Sequence, residues 1–512
     1  MSESASANNK RIAKNTLLLY VRMLFLMAIG LYTSRVVLRV LGVEDYGVYN
    51  VVGGFVGLFA VLSQSLSSAA SRFLTYAMGA GDEERLKRIF SSTVVIHIIL
   101  ALIILIVAEI VGVWFVNNKM VIDPERLSAA NWVFQFSVLL FCVNLLTVPY
   151  NAAIIAHEEM GIFAYISIFE GVAKLIVCYL ILYSPYDKLV FYAVLILGVQ
   201  LVSRGLFYIY SKCHYLECTF YFVIDKPLLK ELFSFAGWNM IGSTSAILRN
   251  QGGNVLINLF YGPVVNAARA IANQVLTAVN GFVENFMVAV RPQITKSYAK
   301  GEKDYMMSLI FRGSRLSYYM LLIICLPIFL NTDYILCLWL HTVPDFTTLF
   351  VRLTLTFTMI ESLSYPLVVA QQATGNIRNY QIIVGGLQMM NLPFSYVFLK
   401  LGCGPEVILY VAIFFGLCCL GARLLLLRKS IHLSVRTFGK DVLLNIVWVS
   451  LISFILPSVM SCFMRVNLFS FVVITIVSLL WTVVAVFFVG CTQAEQQFVM
   501  GKIKCFKENL LR

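Results

Sequence analysis

The chain has 512 residues, 60% of them hydrophobic and only 13% charged, with a mean hydropathy of +0.84 and a net charge of +13. Soluble domains are about half apolar and a quarter charged, so a water-soluble protein is excluded and a polytopic membrane protein is indicated. The basic excess could suit nucleic acid, but it follows the membrane instead, and no nucleic-acid partner is expected.

A membrane span needs about 20 apolar residues. Runs of that kind are expected at 15–41, 46–77, 88–116, 127–156, 162–183, 189–211, 232–260, 264–295, 308–330, 348–372, 380–400, 406–427, 441–463 and 468–490. The expected fold class is all-α, with about fourteen transmembrane helices and both ends on one side. The first stretch, "MSESASANNKRIAKN", is polar, and no small-residue cleavage site follows the first apolar run. That run reads as a retained span rather than a signal peptide. Connections and adjoining helix ends on the N-terminal side carry 23 Lys and Arg, against 5 on the other side. The positive-inside rule then places both termini in the cytoplasm.

The other 11 basic residues fall within spans. A central one costs about 3 kcal/mol on insertion scales unless it faces protein or water. Arg204, Arg352 and Arg423 stand near span ends, where snorkelling to the interface would explain them. In the first span, Arg22 shares a face with Asn15 and Thr33, while Arg35 and Arg39 lie about 100–140° round the helix. The second span carries Tyr46, Tyr49, Gly53, Gln64 and Ser71. In the seventh, Asn239, Ser243, Asn250 and Asn254 fall within about 60°, with Arg249 at the edge. In the eighth, Asn266, Arg269, Asn273, Asn280, Glu284 and Arg291 share one face over about 37 Å. A helix facing lipid could not carry that stripe, so a wet cavity is expected beside it.

Two stretches of the chain resemble one another. "LGVEDYGVYNVVGGF" through "LTYAMGAGDEERLKRIF" matches "YGPVVNAARAIANQV" through "ITKSYAKGEKDYMMSLIF". One offset of 220 aligns Gly42 with Gly262, Thr75 with Thr295, Gly81 with Gly301 and Asp82 with Glu302. "TVPYNAAIIAHEEMG" matches "SYPLVVAQQATGN", pairing Pro149 with Pro366 at 217. An even number of spans separates the copies, so they form a parallel repeat, which places a pathway at their interface. The expected organisation is a six-helix half over 1–211, a cytoplasmic linker over 212–231, a second six-helix half over 232–430, and two further helices with a tail over 431–512.

The twelve cysteines and five histidines show no metal spacing, and no metal or cofactor is expected. No GxxxxGK[ST] occurs, nor a Ser/His/Asp or HExxH motif. The longest connections, Ser211–Glu231 and Asn331–Thr347, are short, so the chain does not read as an enzyme.

"SRVVLRVLGVEDYGVYNVVGG" followed by "GAGDEERLKRIFSST" resembles the start of bacterial polysaccharide-export flippases. These belong to the multidrug/oligosaccharidyl-lipid/polysaccharide superfamily, and the likeness is to flippases of O-antigen and related lipid-linked oligosaccharides. The resemblance implies passage of undecaprenyl-diphosphate-linked sugars from the cytoplasmic to the periplasmic leaflet of the inner membrane, by alternating access. An ion gradient, H+ or Na+, would drive it, and polysaccharide polymerase machinery would be a partner. Guanidinium forks suit a diphosphate, and amides suit sugar hydroxyls. The expected substrate set is therefore Arg22, Arg35, Arg39, Arg249, Arg269, Arg291, Asn250, Asn254, Asn273, Asn280 and Gln64. Glu284 is expected either to pair with Arg269 or to act as the ion switch. Two rival readings are a multidrug antiporter of the same superfamily, which wants acidic residues for cationic drugs, and a membrane polymerase or ligase, which wants large outer loops.

Overall fold

The computed structural model describes residues 3–57, 60–118, 123–184, 187–221, 225–340, 343–464, 467–497 and 500. The side chains of Arg35, Tyr46, Gly53 and Asn266 lie outside this description. Every regular element among the described residues is helical. Eleven of the helices are long and apolar enough to cross a membrane. The expected spans at 232–260 and 264–295 are helical, as are residues 46–57 and 60–77, but none of the three is among those eleven. The connection expected at 261–263 falls inside the helix Gly253–Ala299.

The chain forms two compact units. The first holds Met1–Ser243 with Val288–Glu302, and the second holds Thr244–Met287 with Lys303–Arg512.

In the first unit, the helix Leu127–Ala156 packs against Ala60–Ala80, Glu83–Val107 and Lys188–His214. Its Ala129, Ala130, Ala152, Ala153 and Ala156 are buried. Small residues let helix backbones approach closely where lipid supplies no hydrophobic drive. Phe134, Val138 and Leu145 fill the space between with Ile104, Cys178 and Ile181. The helix Glu3–Gly57 breaks at Gly42, with φ 81° and ψ 171°, where the first expected span ends. Glycine adopts that positive φ at no Cβ cost.

The repeat reappears in backbone geometry. Gly81 and Gly301 both take left-handed φ, 74° and 73°. Asp82 N donates to Ala77 O at 3.2 Å, and Glu302 N to Ser297 O at 2.9 Å. Each pair closes a helix C-terminus with the same glycine turn. These ends also touch: a Cβ on Gly79 would meet Lys296 Cα and Ala299 Cβ, both at 2.9 Å.

In the second unit, Val407–Ile431 packs against Thr347–Ser362 and Gly386–Lys400. The helix pair Asn445–Phe463 and Leu468–Ala485 packs on Lys303–Leu330. The span expected at 348–372 is broken between Ser362 and Tyr365, just before Pro366. Proline supplies no N–H to the preceding turn. Ser314 Oγ donates to the freed Leu363 carbonyl at 3.0 Å. The break leaves Glu361 at the end of a helical segment, beside the unit's interior.

Candidate functional site

Each unit encloses a basic cluster built around one carboxylate. In the first unit, Glu170 Oε1 accepts from Lys174 Nζ at 2.6 Å and from Gln200 Nε2 at 2.7 Å. Arg204 Nη2 lies 3.5 Å from Glu170 Oε2 and donates to Gln200 Oε1 at 2.9 Å. Arg204 Nε donates to Asn144 Oδ1 at 2.6 Å. Arg22 stands within electrostatic reach of Glu170, its guanidinium 4.6 Å from the centre of the Phe163 ring. Three cations therefore share one carboxylate. Arg22 Nε and Nη1 are buried and make no hydrogen bond among the described residues.

In the second unit, Arg249 Nη1 lies 3.4 Å from Glu361 Oε1, with its guanidinium 4.7 Å from the centre of the Phe357 ring. Arg423 Nε donates to Tyr380 Oη at 3.1 Å. A cavity of ≈ 10 Å³ lies among Arg249, Glu361, Gln388, Asn391 and Arg423. That is room for about one water. Arg269 Nε donates to Asn254 Oδ1 at 2.7 Å, and its Nη1 is buried with no hydrogen bond among the described residues. The absence of a side chain at Gly253 makes space for this head, since a Cβ there would lie 2.7 Å from Arg269 Nη2. Arg249 and Arg423 lie within electrostatic reach of Glu361, and Arg269 lies within reach of Arg249, so three cations cluster around one carboxylate.

The structure thus brings Arg249, Arg269 and Asn254 together, and gives Arg22 a separate setting in the first unit. Asn273 and Asn280 are half-buried, the latter with Oδ1 sealed and without a hydrogen bond among the described residues. Gln64, Arg39, Asn250, Glu284 and Arg291 are exposed.

Three expectations are corrected. Arg204 and Arg423 do not snorkel: Arg423 is 6% exposed, and both are held in interior networks. Closeness to a span end measures distance to the interface, not the direction of a face. Glu284 does not pair with Arg269, because 15 residues of helix separate them by about 22 Å. Nor does Arg269 face an open cavity, since it is 6% exposed.

Two further centres were not singled out in the sequence. Glu158 is a non-glycine residue at φ 64°, and its side chain is 2% exposed. It accepts from Gln293 Nε2 at 2.5 Å and Lys296 Nζ at 2.7 Å, with Arg11 Nε at 3.5 Å. The second centre joins Asp45, Arg126 and Asp187, which stand in three different connections of the first unit. Arg126 donates through Nε to Asp45 Oδ1 at 2.7 Å, through Nη2 to Asp45 Oδ2, and through Nη1 to Asp187 Oδ2 at 2.5 Å. Burial raises the Asp187 carboxyl, but the Val190 and Leu189 amides and the Arg126 guanidinium outweigh it and hold it below the ordinary value. Charged residues far apart in sequence carry no local signal of such pairing.

Residues 12–298 match the family described as polysaccharide biosynthesis protein. The chain is 21% identical over 301 residues to the uncharacterized membrane protein EpsK of Bacillus subtilis, a match spanning 57% of this chain and 58% of that protein. Among solved structures, it resembles an outward-facing multidrug resistance MATE family transporter of the MOP superfamily, with TM-score 0.73 and 14% identity over 83% of this chain and 96% of the other. It also resembles a MOP superfamily transporter from Pyrococcus furiosus whose structure is described as having a binding pocket of reverse polarity, with TM-score 0.71 and 13% identity over 85% and 97% of the two chains.

Proposed function

The chain belongs to the polysaccharide biosynthesis protein family and has the fold of MOP superfamily transporters, and from that premise we propose that it moves a lipid-linked oligosaccharide across the bacterial inner membrane. The substrate is an undecaprenyl-diphosphate-linked repeat unit, passed from the cytoplasmic to the periplasmic leaflet by alternating access. An H+ or Na+ gradient drives the cycle, and the product feeds polymerase machinery. Both termini are cytoplasmic.

The supporting observation is the buried positive excess of each unit, with guanidinium N–H groups of Arg22 and Arg269 sealed without a hydrogen-bond partner among the described residues. A buried donor left unpaired costs about 1–3 kcal/mol, and more when charged. A diphosphate oxygen satisfies such donors and supplies the missing charge. In the second unit Arg249 joins Arg269 and the exposed Asn250, and in the first unit the exposed Arg39, Arg291 and Gln64 offer contacts to headgroup and sugar. Asn273 and Asn280 belong with the second unit's residues, and Arg35 is included on its sequence position alone. Cationic drugs suit these clusters poorly, since Glu170 and Glu361 are already in ion pairs.

The test is surface polysaccharide in a deletion strain carrying Arg22→Ala, Arg249→Ala or Arg269→Ala, with membrane abundance checked by immunoblot. Each alanine variant removes a charge-assisted bond worth about 1.5–3 kcal/mol, and export falls roughly tenfold or more. Lysine gives only partial recovery, because a point charge loses the two-pronged geometry. Lipid-linked sugars accumulate in the same cells. Normal export by all three abundant alanine variants would sink the assignment.

A further inference from the structure

A second basic cleft lies elsewhere in the second unit. Arg312 and Arg315, in the first half of Lys303–Leu330, face Lys440, Asp441, Asn445 and Trp448 across a space of ≈ 520 Å³. We propose that this cleft binds the headgroup phosphate of an anionic phospholipid.

The charges ask for one more anion. Arg315 Nη2 donates to both oxygens of Glu495, at 3.0 and 3.2 Å, and Arg312 Nε lies 3.3 Å from Glu495 Oε1. Two guanidinium groups thus share one carboxylate, and their other nitrogens make no further hydrogen bond among the described residues. Lys440 is exposed and has no ion-pair partner among the described residues. Counting Asp441 and Glu495 against Arg312, Arg315 and Lys440 leaves one positive charge. A phosphodiester carries one negative charge, and a guanidinium fork is shaped for its two free oxygens.

The position selects a lipid over a soluble anion. Arg312, Lys440 and Thr492 all stand at the same ends of the spans expected at 308–330, 441–463 and 468–490, which is headgroup depth. Below them Leu444, Trp448, Leu451 and Ile455 form a stripe down one helix, exposed by 56%, 55%, 53% and 62%. That spacing keeps all four on one face, where acyl chains would lie. Tryptophan favours this boundary because its ring is apolar and its N–H polar. A volume of several hundred Å3 is that of a small-molecule site. Past Thr492 in the chain, the sequence carries Lys502, Lys504, Lys507 and Arg512 against Glu508. A juxtamembrane basic segment of this kind draws anionic lipid.

The inference does not depend on the transport reading. Its test is native mass spectrometry of the full-length purified protein with phosphatidylglycerol, with phosphatidylcholine of the same chains, and with inorganic phosphate as competitor. Wild type should retain phosphatidylglycerol at least about tenfold more tightly than phosphatidylcholine. Lys440→Gln, which breaks no hydrogen bond or ion pair among the described residues, should lose most of that preference, and adding Arg312→Gln should abolish it. Arg352→Gln, outside the cleft, should leave it intact. Equal retention of the two lipids, or a preference untouched by both cleft variants, overturns the proposal. Displacement of the lipid by millimolar phosphate overturns the lipid assignment in favour of a free-anion site.

Discussion

The two basic clusters occupy corresponding places in the repeat, yet their carboxylates do not. The offset of 217 that pairs Pro149 with Pro366 also pairs Asn144 with Glu361. At 218, Glu170 meets Gln388, and at 219, Arg204 meets Arg423. The arginine is retained in both, while the acid has moved from one neighbouring helix to the other. What the halves share is the balance of three cations against one carboxylate, not the residue that supplies it. They differ in tightness. Glu170 is held by Lys174, Gln200 and Arg204, whereas Glu361 has one ion pair among the described residues, at 3.4 Å. The first cluster is a lock around which Arg22 is left over; the second is looser and bounds a small cavity.

The strongest way to break this comparison is to delete each acid. Glu170→Ala strands three interior cations and should cost about 3–5 kcal/mol of stability. Glu361→Ala gives up a single longer pair and should cost roughly 1–3 kcal/mol. Thermal and denaturant unfolding of the purified protein would read the difference; equal losses would mean that the two clusters are equally tight.

A smaller effect is expected from exchanging the acid within the second unit. Glu361→Asn with Gln388→Glu installs the arrangement of the first unit. Each single change should destabilise, and the double variant should recover about 0.5–2 kcal/mol, measured as the coupling in a double-mutant cycle. Strict additivity would show that the correspondence is one of sequence only.

The smallest effect sharpens a difference between the connections. The first unit ties three of them through Arg126, whereas Phe346 stands at the same place in the repeat of the second. Asp187 has a folded value below its unfolded one of about 4. Its contribution is therefore complete above that unfolded value and disappears as pH falls through the folded value. Partly exposed pairs are worth about 0.2–1 kcal/mol. Asp187→Asn should lower the unfolding temperature slightly at pH 7, and the deficit should shrink as pH falls below the unfolded value. A deficit that persists in acid would mean that the N-cap hydrogen bonds of Asp187 to Leu189 and Val190, rather than its charge, are what matter.

Local patterns were legible where local physics decides them. Gly81 and Gly301 mark helix ends because the left-handed turn is needed there, and the common offset survives as matching backbone hydrogen bonds. The misreadings arose where direction mattered more than depth. Arg204 and Arg423 sit near span ends, and only their neighbours show that they point inward. The polar stripe of the eighth span kept its periodicity, but Arg269 is buried while Glu284 is exposed, since the helix meets different partners along its length.

Sequence alone determined the membrane class, the all-helical architecture and the presence of positive charge within the helices. Each follows from composition or from periodicity along one helix, where hydrocarbon and backbone hydrogen bonding leave few choices. The tertiary structure decided which charges meet. Glu170 finds Gln200 across 30 residues, and Arg249 finds Glu361 across 112. Pairing over such separations depends on how helices pack and rotate, and no one-dimensional pattern encodes that.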